Sequence, residues 1–297
     1  MARSFPPDVI VLDTDGLIHA RLSRGKARPR IAHAKSYRLA AETFTPSVVT
    51  PQLANEAGFA EALRRLRMET GKWDKFSLLL PDSWFRINIV ELPSLPDKHA
   101  EALEVVRWSL KRTLPIPPEE LRVTFTPLAR SDKGAKVLVL SAVEATLAAI
   151  ERAFAAAGFE TVLIEPLGLN IWNAIAVNEP DSNVDRLFLY VRDTDFTTAV
   201  FRGSQPLFIR SRNLSSERTV EQEIRLSANY LRDTLAIDSF ANCWVAGPKS
   251  AIVHDTLASE FNTQVRAVSL RDYVEDVPFD LQGLEAELTA CTGVFTG

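Results

Sequence analysis

The sequence is poor in the residues that carry most nucleophilic and metal chemistry. It holds 2 cysteines, 2 methionines and 4 histidines in 297 residues. Cys243 and Cys291 lie far apart with no metal-ligating neighbour, which excludes a disulfide framework and fits a reducing compartment. His19, His33, His99 and His254 are scattered, without His-x-x-x-His or Cys-x-x-Cys spacing, so no metal site is expected. No Gly-x-x-x-x-Gly-Lys loop, Ser-His-Asp or Cys-His arrangement can be assembled. No run approaches the roughly 18 uninterrupted apolar residues of a membrane span, and Met1 to Asp8 lacks the apolar stretch of a secretion signal. A basic excess is missing too. The net charge of −4 leaves nucleic acid without the cationic surface it needs.

What is present suits a folded α/β protein. Hydrophobic residues make up 46% and charged residues 24%, ordinary for a globular chain, and the length suits two lobes. Val9-Ile10-Val11-Leu12 reads as a buried strand ending in the turn Asp13-Thr14-Asp15-Gly16, with strands Leu17 to Leu22 and Ile31 to Tyr37 to follow. A helix is expected over Ala54 to Glu69, and strands over Phe76 to Leu80 and Ile87 to Leu92. Asp97 reads as the N-cap of a helix reaching Thr113, which Leu114-Pro115 ends. Strands follow at Val123 to Leu128 and Val137 to Leu140, then a helix from Glu144 to Ala157 capped by Gly158. Strand Thr161 to Ile164, helix Gly168 to Val177 and a polar linker, Asn178 to Asp185, complete the first half.

The opening pattern then recurs. Leu187 to Val191 is a buried strand, Asp193-Thr194-Asp195 its turn, and Phe196 to Phe201 and Pro206 to Asn213 two further strands. The two Asp-Thr-Asp turns are read as equivalent places in a duplicated lobe. A helix from Thr219 to Leu235, strand Cys243 to Ala246, and a last helix from Leu284 to Thr292 close the chain.

This layout resembles the actin-like (ribonuclease H-like) ATPase fold, an α/β architecture of two lobes. The motifs Leu78-Leu79-Leu80-Pro81-Asp82, Glu91-Leu92-Pro93, Glu104-Val105-Val106-Arg107-Trp108 and Leu114-Pro115-Ile116 resemble the type IV pilus assembly protein PilM family. They are also similar to the cytoplasmic domain of type II secretion GspL proteins. Glu221-Gln222-Glu223-Ile224-Arg225 through Tyr230, and the ending Ala290-Cys291-Thr292-Gly293, look like that family's second-lobe and closing helices. The resemblance implies a first lobe over residues 1–180 with a small α+β subdomain inserted at about 84–130. It implies a second lobe over 181–297, whose last helix can pack back on the first. It further implies a cytoplasmic protein, peripheral at the inner membrane, that binds the cytosolic N-terminal tail of a PilN-like single-span partner. An ATP site with Mg²⁺ between the lobes would come with it.

The residues do not match a working nucleotide site well. Actin-like sites hold phosphates on Asp-x-Gly turns, because glycine lets backbone N–H groups approach the oxygens. Asp15 and Asp195 stand where glycine is wanted, and a pair of like charges there would repel by about 1 kcal/mol or more. Gly16 can serve the first turn by a shift of register; Phe196 offers no such rescue in the second. The adenine-side loop has one glycine, Gly247, followed by Pro248. Vestigial site residues are therefore Asp13, Thr14, Asp15, Gly16, Asp193, Thr194, Asp195 and Gly247, and no cofactor is expected unless the site works. Two alternatives stay open here. Asp13 and Asp193 can hold a Mg²⁺ water shell, and Glu165 can polarise a water.

Two surface features remain. Seven basic residues between Gly16 and Ala41 (Arg21, Arg24, Lys26, Arg28, Arg30, Lys35, Arg38) form either a solvated hairpin or a contact with anionic lipid. Trp84, Phe85 and Leu92 either line a peptide groove beside the inserted block or pack within it. The sequence reading is thus a non-enzymatic scaffold with a decayed nucleotide site. An active ATPase or kinase of the same fold is the alternative, as is a GspL-like domain with a membrane span after Gly297.

Overall fold

The computed structural model describes residues 5–45, 50–71, 73–111, 116–131, 134–179, 183–215, 217–277 and 283–296. The first meander is β1 (Asp8–Leu12), β2 (Gly16–Ser23) and β3 (Arg30–Arg38). A short pair, β4 (Phe44–Thr45) and β5 (Gln52–Leu53), precedes α1 (Glu56–Thr70) and β6 (Lys75–Leu80). Then come β7 (Arg86–Leu92), α2 (His99–Leu110), β8 (Leu121–Ser131) and β9 (Gly134–Val143). They lead to α3 (Glu144–Ala156), β10 (Glu160–Pro166) and α4 (Leu167–Asn178). The second meander is β11 (Asp185–Val191), β12 (Asp195–Arg202) and β13 (Gln205–Asn213). It continues into α5 (Val220–Leu235), β14 (Asn242–Ala246), α6 (Ser250–Phe261), β15 (Val265–Ala267) and α7 (Glu285–Thr296).

The chain forms two compact units. One comprises Met1–Trp84, Thr146–Pro180 and Val268–Gly297; the other comprises Phe85–Ala145 and Asp181–Ala267. Each holds a five-stranded sheet, ordered β3-β2-β1-β6-β10 in the first and β13-β12-β11-β14-β15 in the second. In each the meander is antiparallel and the last two strands run parallel to its first strand. The two sheets therefore share one topology, as a duplicated lobe requires. Strands β1 and β11 lie mid-sheet and are buried, β11 from Arg186 on, which explains the apolar runs Val9–Leu12 and Leu187–Val191.

In the second unit a three-stranded sheet, β7-β9-β8, packs against α2 through Leu92, Val106, Leu110, Val123, Val137 and Val139. Its edge strand β7 lies beside β13. In the first unit, helices α4 and α7 pack closely along each other. A Cβ added at Gly293 of α7 would sit 1.8 Å from the carbonyl oxygen of Asn170 on α4, so this crossing needs glycine.

Several local expectations are corrected. Helix α2 starts at His99 with Lys98 in the cap position, and Asp97 instead pairs with Arg130 at 2.7 Å. Helix α6 and strand β15 were not expected from sequence. Leu114-Pro115 and residues 180–182 of the linker lie outside the described residues. Gly158 does close α3, at φ +82. Among the described residues no helix is long and apolar enough to cross a membrane. Both cysteines are free and buried; burial pushes the Cys243 thiol up to about 12, so it packs in its sheet as a neutral group.

Candidate functional site

Hydrogen-bond register decides which turn residues are equivalent. In the first unit Leu12 faces Leu17, the Asp13 N–H donates to the Gly16 carbonyl (2.8 Å), and the Leu39 N–H donates to the Asp15 carbonyl (2.9 Å). In the second, Val191 faces Phe196, the Arg192 N–H donates to the Asp195 carbonyl (2.9 Å), and the Leu214 N–H donates to the Thr194 carbonyl (2.8 Å). Asp13 thus matches Arg192, Asp15 matches Thr194, and Gly16 matches Asp195. The repeated Asp-Thr-Asp tripeptide is one residue out of step, which corrects the reading of the two turns as identical. The duplication rests on strand order and not on that identity.

The shift changes the electrostatics. Thr14 and Asp15 are the exposed tip of the first turn; Asp13 precedes it and accepts the Thr14 N–H at 2.7 Å. Gly16 already belongs to β2, opposite Arg38. In the second turn Asp193 and Thr194 form the exposed tip, while Asp195 is buried. The Asp195 carboxylate accepts from the Arg192 guanidinium and from the Thr194 hydroxyl, both at 3.1 Å. Asp195 is therefore engaged within its own turn by Arg192 and Thr194. Asp193 is held by Lys249, whose Nζ lies 3.0 Å from its carboxylate. Gly247, two residues earlier at φ +103, packs against Val191, where a Cβ would stand 2.2 Å from the carbonyl oxygen. Its glycine serves backbone packing between the ends of β11 and β14.

At the carboxyl ends of the three parallel strands of the first unit stand Asp13, Asp82 and Glu165, the edge where open α/β sheets place ligands. Asp82 is fully buried and accepts the Gly168 N–H at 2.7 Å. It caps α4 from outside, since the helix's own N-cap is Pro166, which has no side-chain cap bond. From sequence, Asp82 falls in a family motif without a role of its own. The signal was a carboxylate one residue past the apolar strand end Leu78-Leu79-Leu80. Glu165 accepts from the Asn170 side-chain amide at 2.9 Å, and burial holds its carboxyl above the usual carboxylate range. With its folded pKa raised, protonation favours the folded state at low pH, and that contribution is lost as pH rises through the folded value. Glu165→Gln keeps an acceptor for Asn170 without the charge. It should raise the melting temperature at pH 8 and leave it unchanged near pH 4, read by thermal denaturation at both.

The three residues proposed for a peptide groove are all buried. Trp84 is buried in the first unit against Phe44, with ring centroids 5.4 Å apart. Leu92 belongs to the core beneath α2, and Phe85 is buried. Of the two readings left open, Trp84 and Phe85 follow the packing one, while Leu92 packs in the core and also lines a surface cavity with Glu91, Arg130 and Lys136. The basic hairpin is also partly spent: Arg21 pairs with Asp8 (2.9 Å), Arg30 with Glu275 (2.6 Å) and Lys35 with Glu69 (2.5 Å). Trp108 of α2, by contrast, stands exposed.

No family model matches the sequence, and no curated protein matches it. Solved structures do. A chain of a PilM-PilN type IV pilus biogenesis complex superposes with a TM-score of 0.78 at 19% identity, covering 99% of this chain and 98% of that one. A Bacteroides thetaiotaomicron protein of unknown function with an actin-like ATPase fold gives 0.57 at 12% identity, over 93% and 94%. The cytoplasmic domain of EpsL, an inner-membrane component of the Vibrio cholerae type II secretion system, gives 0.54 at 11%, over 98% and 94%. Together with two sheets of one shared strand order, these matches give the chain an actin-like fold of PilM-like form.

Proposed function

We propose that this chain is a non-enzymatic adaptor of a type IV pilus-like assembly platform. It would work in the cytoplasm at the inner membrane, holding the cytosolic N-terminal tail of a PilN-like single-span protein. The observation that carries this reading is the end-to-end likeness to a chain of the PilM-PilN complex. The EpsL likeness favours a type II secretion role less, because its TM-score is lower at similar coverage.

The adaptor is proposed to work without nucleotide. Neither turn tip, Thr14-Asp15 or Asp193-Thr194, offers glycine N–H groups to a phosphate. The carboxylates that would hold a Mg²⁺ shell or polarise water are engaged within their own units. Asp13 accepts a backbone N–H, Asp193 is paired with Lys249, and Glu165 is bonded to Asn170. These residues fit Mg·ATP poorly, and no reaction step is assigned to them.

One experiment tests both halves. The chain is titrated with the cytosolic tail of a single-span protein encoded beside it, with and without millimolar Mg·ATP, and its melting temperature is followed throughout. The tail should bind with micromolar affinity, as coupled ordering of a flexible segment implies, and Mg·ATP should change neither binding nor melting. A nucleotide at about 100 times its dissociation constant would stabilise by about 2.7 kcal/mol, an easily read shift. Such a shift would overturn the nucleotide-free reading in favour of an active ATPase. Absence of tail binding would overturn the adaptor.

A further inference from the structure

In the second unit two arginines pair with one buried carboxylate, and a third arginine stands close by. Glu223, in the first turn of α5, is 1% exposed. Its Oε2 lies 2.9 Å from Arg210 Nη2 on β13, and its Oε1 lies 3.2 Å from Arg218 Nε just before the helix. Arg212, on the same face of β13 as Arg210, has no carboxylate partner among the described residues and donates to the Ser211 carbonyl at 2.9 Å. Arg86 of β7 adds a fourth guanidinium close enough to act on it. Desolvation, then the charge on Arg210, hold Arg212 below the usual guanidinium range. The Arg210 Nε is buried without a hydrogen-bond partner among the described residues. Positive charge is thus concentrated around one buried anion, with Arg212 and Arg218 at the exposed rim.

An apolar strip adjoins this cluster. Leu226 and Tyr230, on the flank of α5 that carries Glu223, are 51% and 43% exposed. Phe208, two residues before Arg210 on β13, lies against Tyr230 with ring centroids 5.3 Å apart. Strand β13 is the outermost strand of its sheet, with β7 of the three-stranded sheet beside it. We infer that this face is a docking surface for an acidic, partly apolar peptide segment of a protein partner. Its carboxylates would be taken by Arg212 and Arg218 in forked pairs, and its apolar side chains would lie over Leu226 and Tyr230. Charge complementarity selects this occupant. The cluster sits on a protein of net charge −4, so its basicity is local. Glu217, Glu221 and Asp233 lie nearby in sequence along α5 and its approach, and their charges disfavour a broad anionic lipid surface.

The inference goes beyond the adaptor reading and can hold if that reading fails, because its test uses synthetic probes and the chain alone. The probes are a fluorescein-labelled peptide alternating Glu with Leu and Phe, and a counterpart carrying Lys in place of Glu. Fluorescence anisotropy should show the acidic peptide binding at least about tenfold more tightly, and binding should weaken as salt rises from roughly 50 to 500 mM. Arg212→Gln, which breaks no ion pair, should weaken it by about threefold or more, and Arg212→Gln with Arg218→Gln by about tenfold. Tyr230→Ser should weaken it at high salt as well as low. Arg24→Gln, on the β2–β3 hairpin, should leave it unchanged. Equal affinity for the two peptides, or indifference to the double substitution in a chain that still melts cooperatively, would overturn the proposal. So would loss of phosphatidylglycerol-vesicle binding, with peptide binding intact, in the double variant.

Discussion

Gly293→Ala should destabilise the first unit by about 3 kcal/mol or more, at the upper end of overpacking costs. On helix propensity alone the sign would be opposite, since alanine in a helix interior gains about 1 kcal/mol over glycine. Packing decides. The new Cβ would stand 1.8 Å from the Asn170 carbonyl oxygen, 2.8 Å from its carbonyl carbon and 3.1 Å from the Ala174 nitrogen. All three are backbone atoms of α4, so no side-chain rotation relieves the clash; the helices must separate. Separation would also disturb Asn170, which is buried and bonds both Glu165 (2.9 Å) and the Pro166 carbonyl (3.0 Å). Thermal or urea denaturation of the full chain reads the effect. A melting temperature equal to or above that of the parent would mean that α4 and α7 do not meet at backbone distance.

That crossing shows where the sequence was legible and where it was not. Val9 to Leu12 and Leu187 to Val191 announce their strands, because a mid-sheet strand is apolar at every position and nothing else so short is. Alternation and turn residues likewise placed the meanders, and with them the shared order of the two sheets. The register of the turns was hidden. Asp-Thr-Asp occurs in both, but Asp13 pairs with Gly16 and Arg192 with Asp195, and only the backbone bonds reveal the one-residue offset. Helix α6 carried a signal in Val253, Leu257 and Phe261, all buried at a four-residue spacing, yet its cap residue Lys249 makes no capping bond. Strand β15 is three residues long, too short for any period to register. Whether Trp84 and Phe85 line a groove or pack in a core was not legible, because burial is a tertiary property. The α5 cluster was least legible of all. Arg210 and Glu223 are 13 positions apart on different element types, and no spacing rule brings them together.

Glu223→Ala is the second large effect expected, a loss of about 3 kcal/mol. The argument turns on which partner is buried. Glu223 is 1% exposed, whereas the side chains of Arg210 and Arg218 are 21% and 56% exposed. Removing the carboxylate leaves Arg210 and Arg218 without the anion they share, beside the positive Arg212, and Arg210 has little water to replace it. Removing Arg218 instead leaves Glu223 still paired with Arg210. An exposed partner of this kind contributes about 0–1 kcal/mol, so Arg218→Gln should barely move the melting temperature. The asymmetry is the diagnostic. Two-fold exposure of a mere surface ion-pair network would make the two substitutions comparable, whereas a buried anion clamped by rim cations makes the first far more costly. Added phosphate or sulfate should recover part of the loss in Glu223→Ala by screening the exposed guanidiniums, and sodium chloride at matched ionic strength should recover less. If Glu223→Ala and Arg218→Gln melt alike, Glu223 is not the electrostatic centre of the cluster, and the basic rim has no anchored geometry to offer a partner.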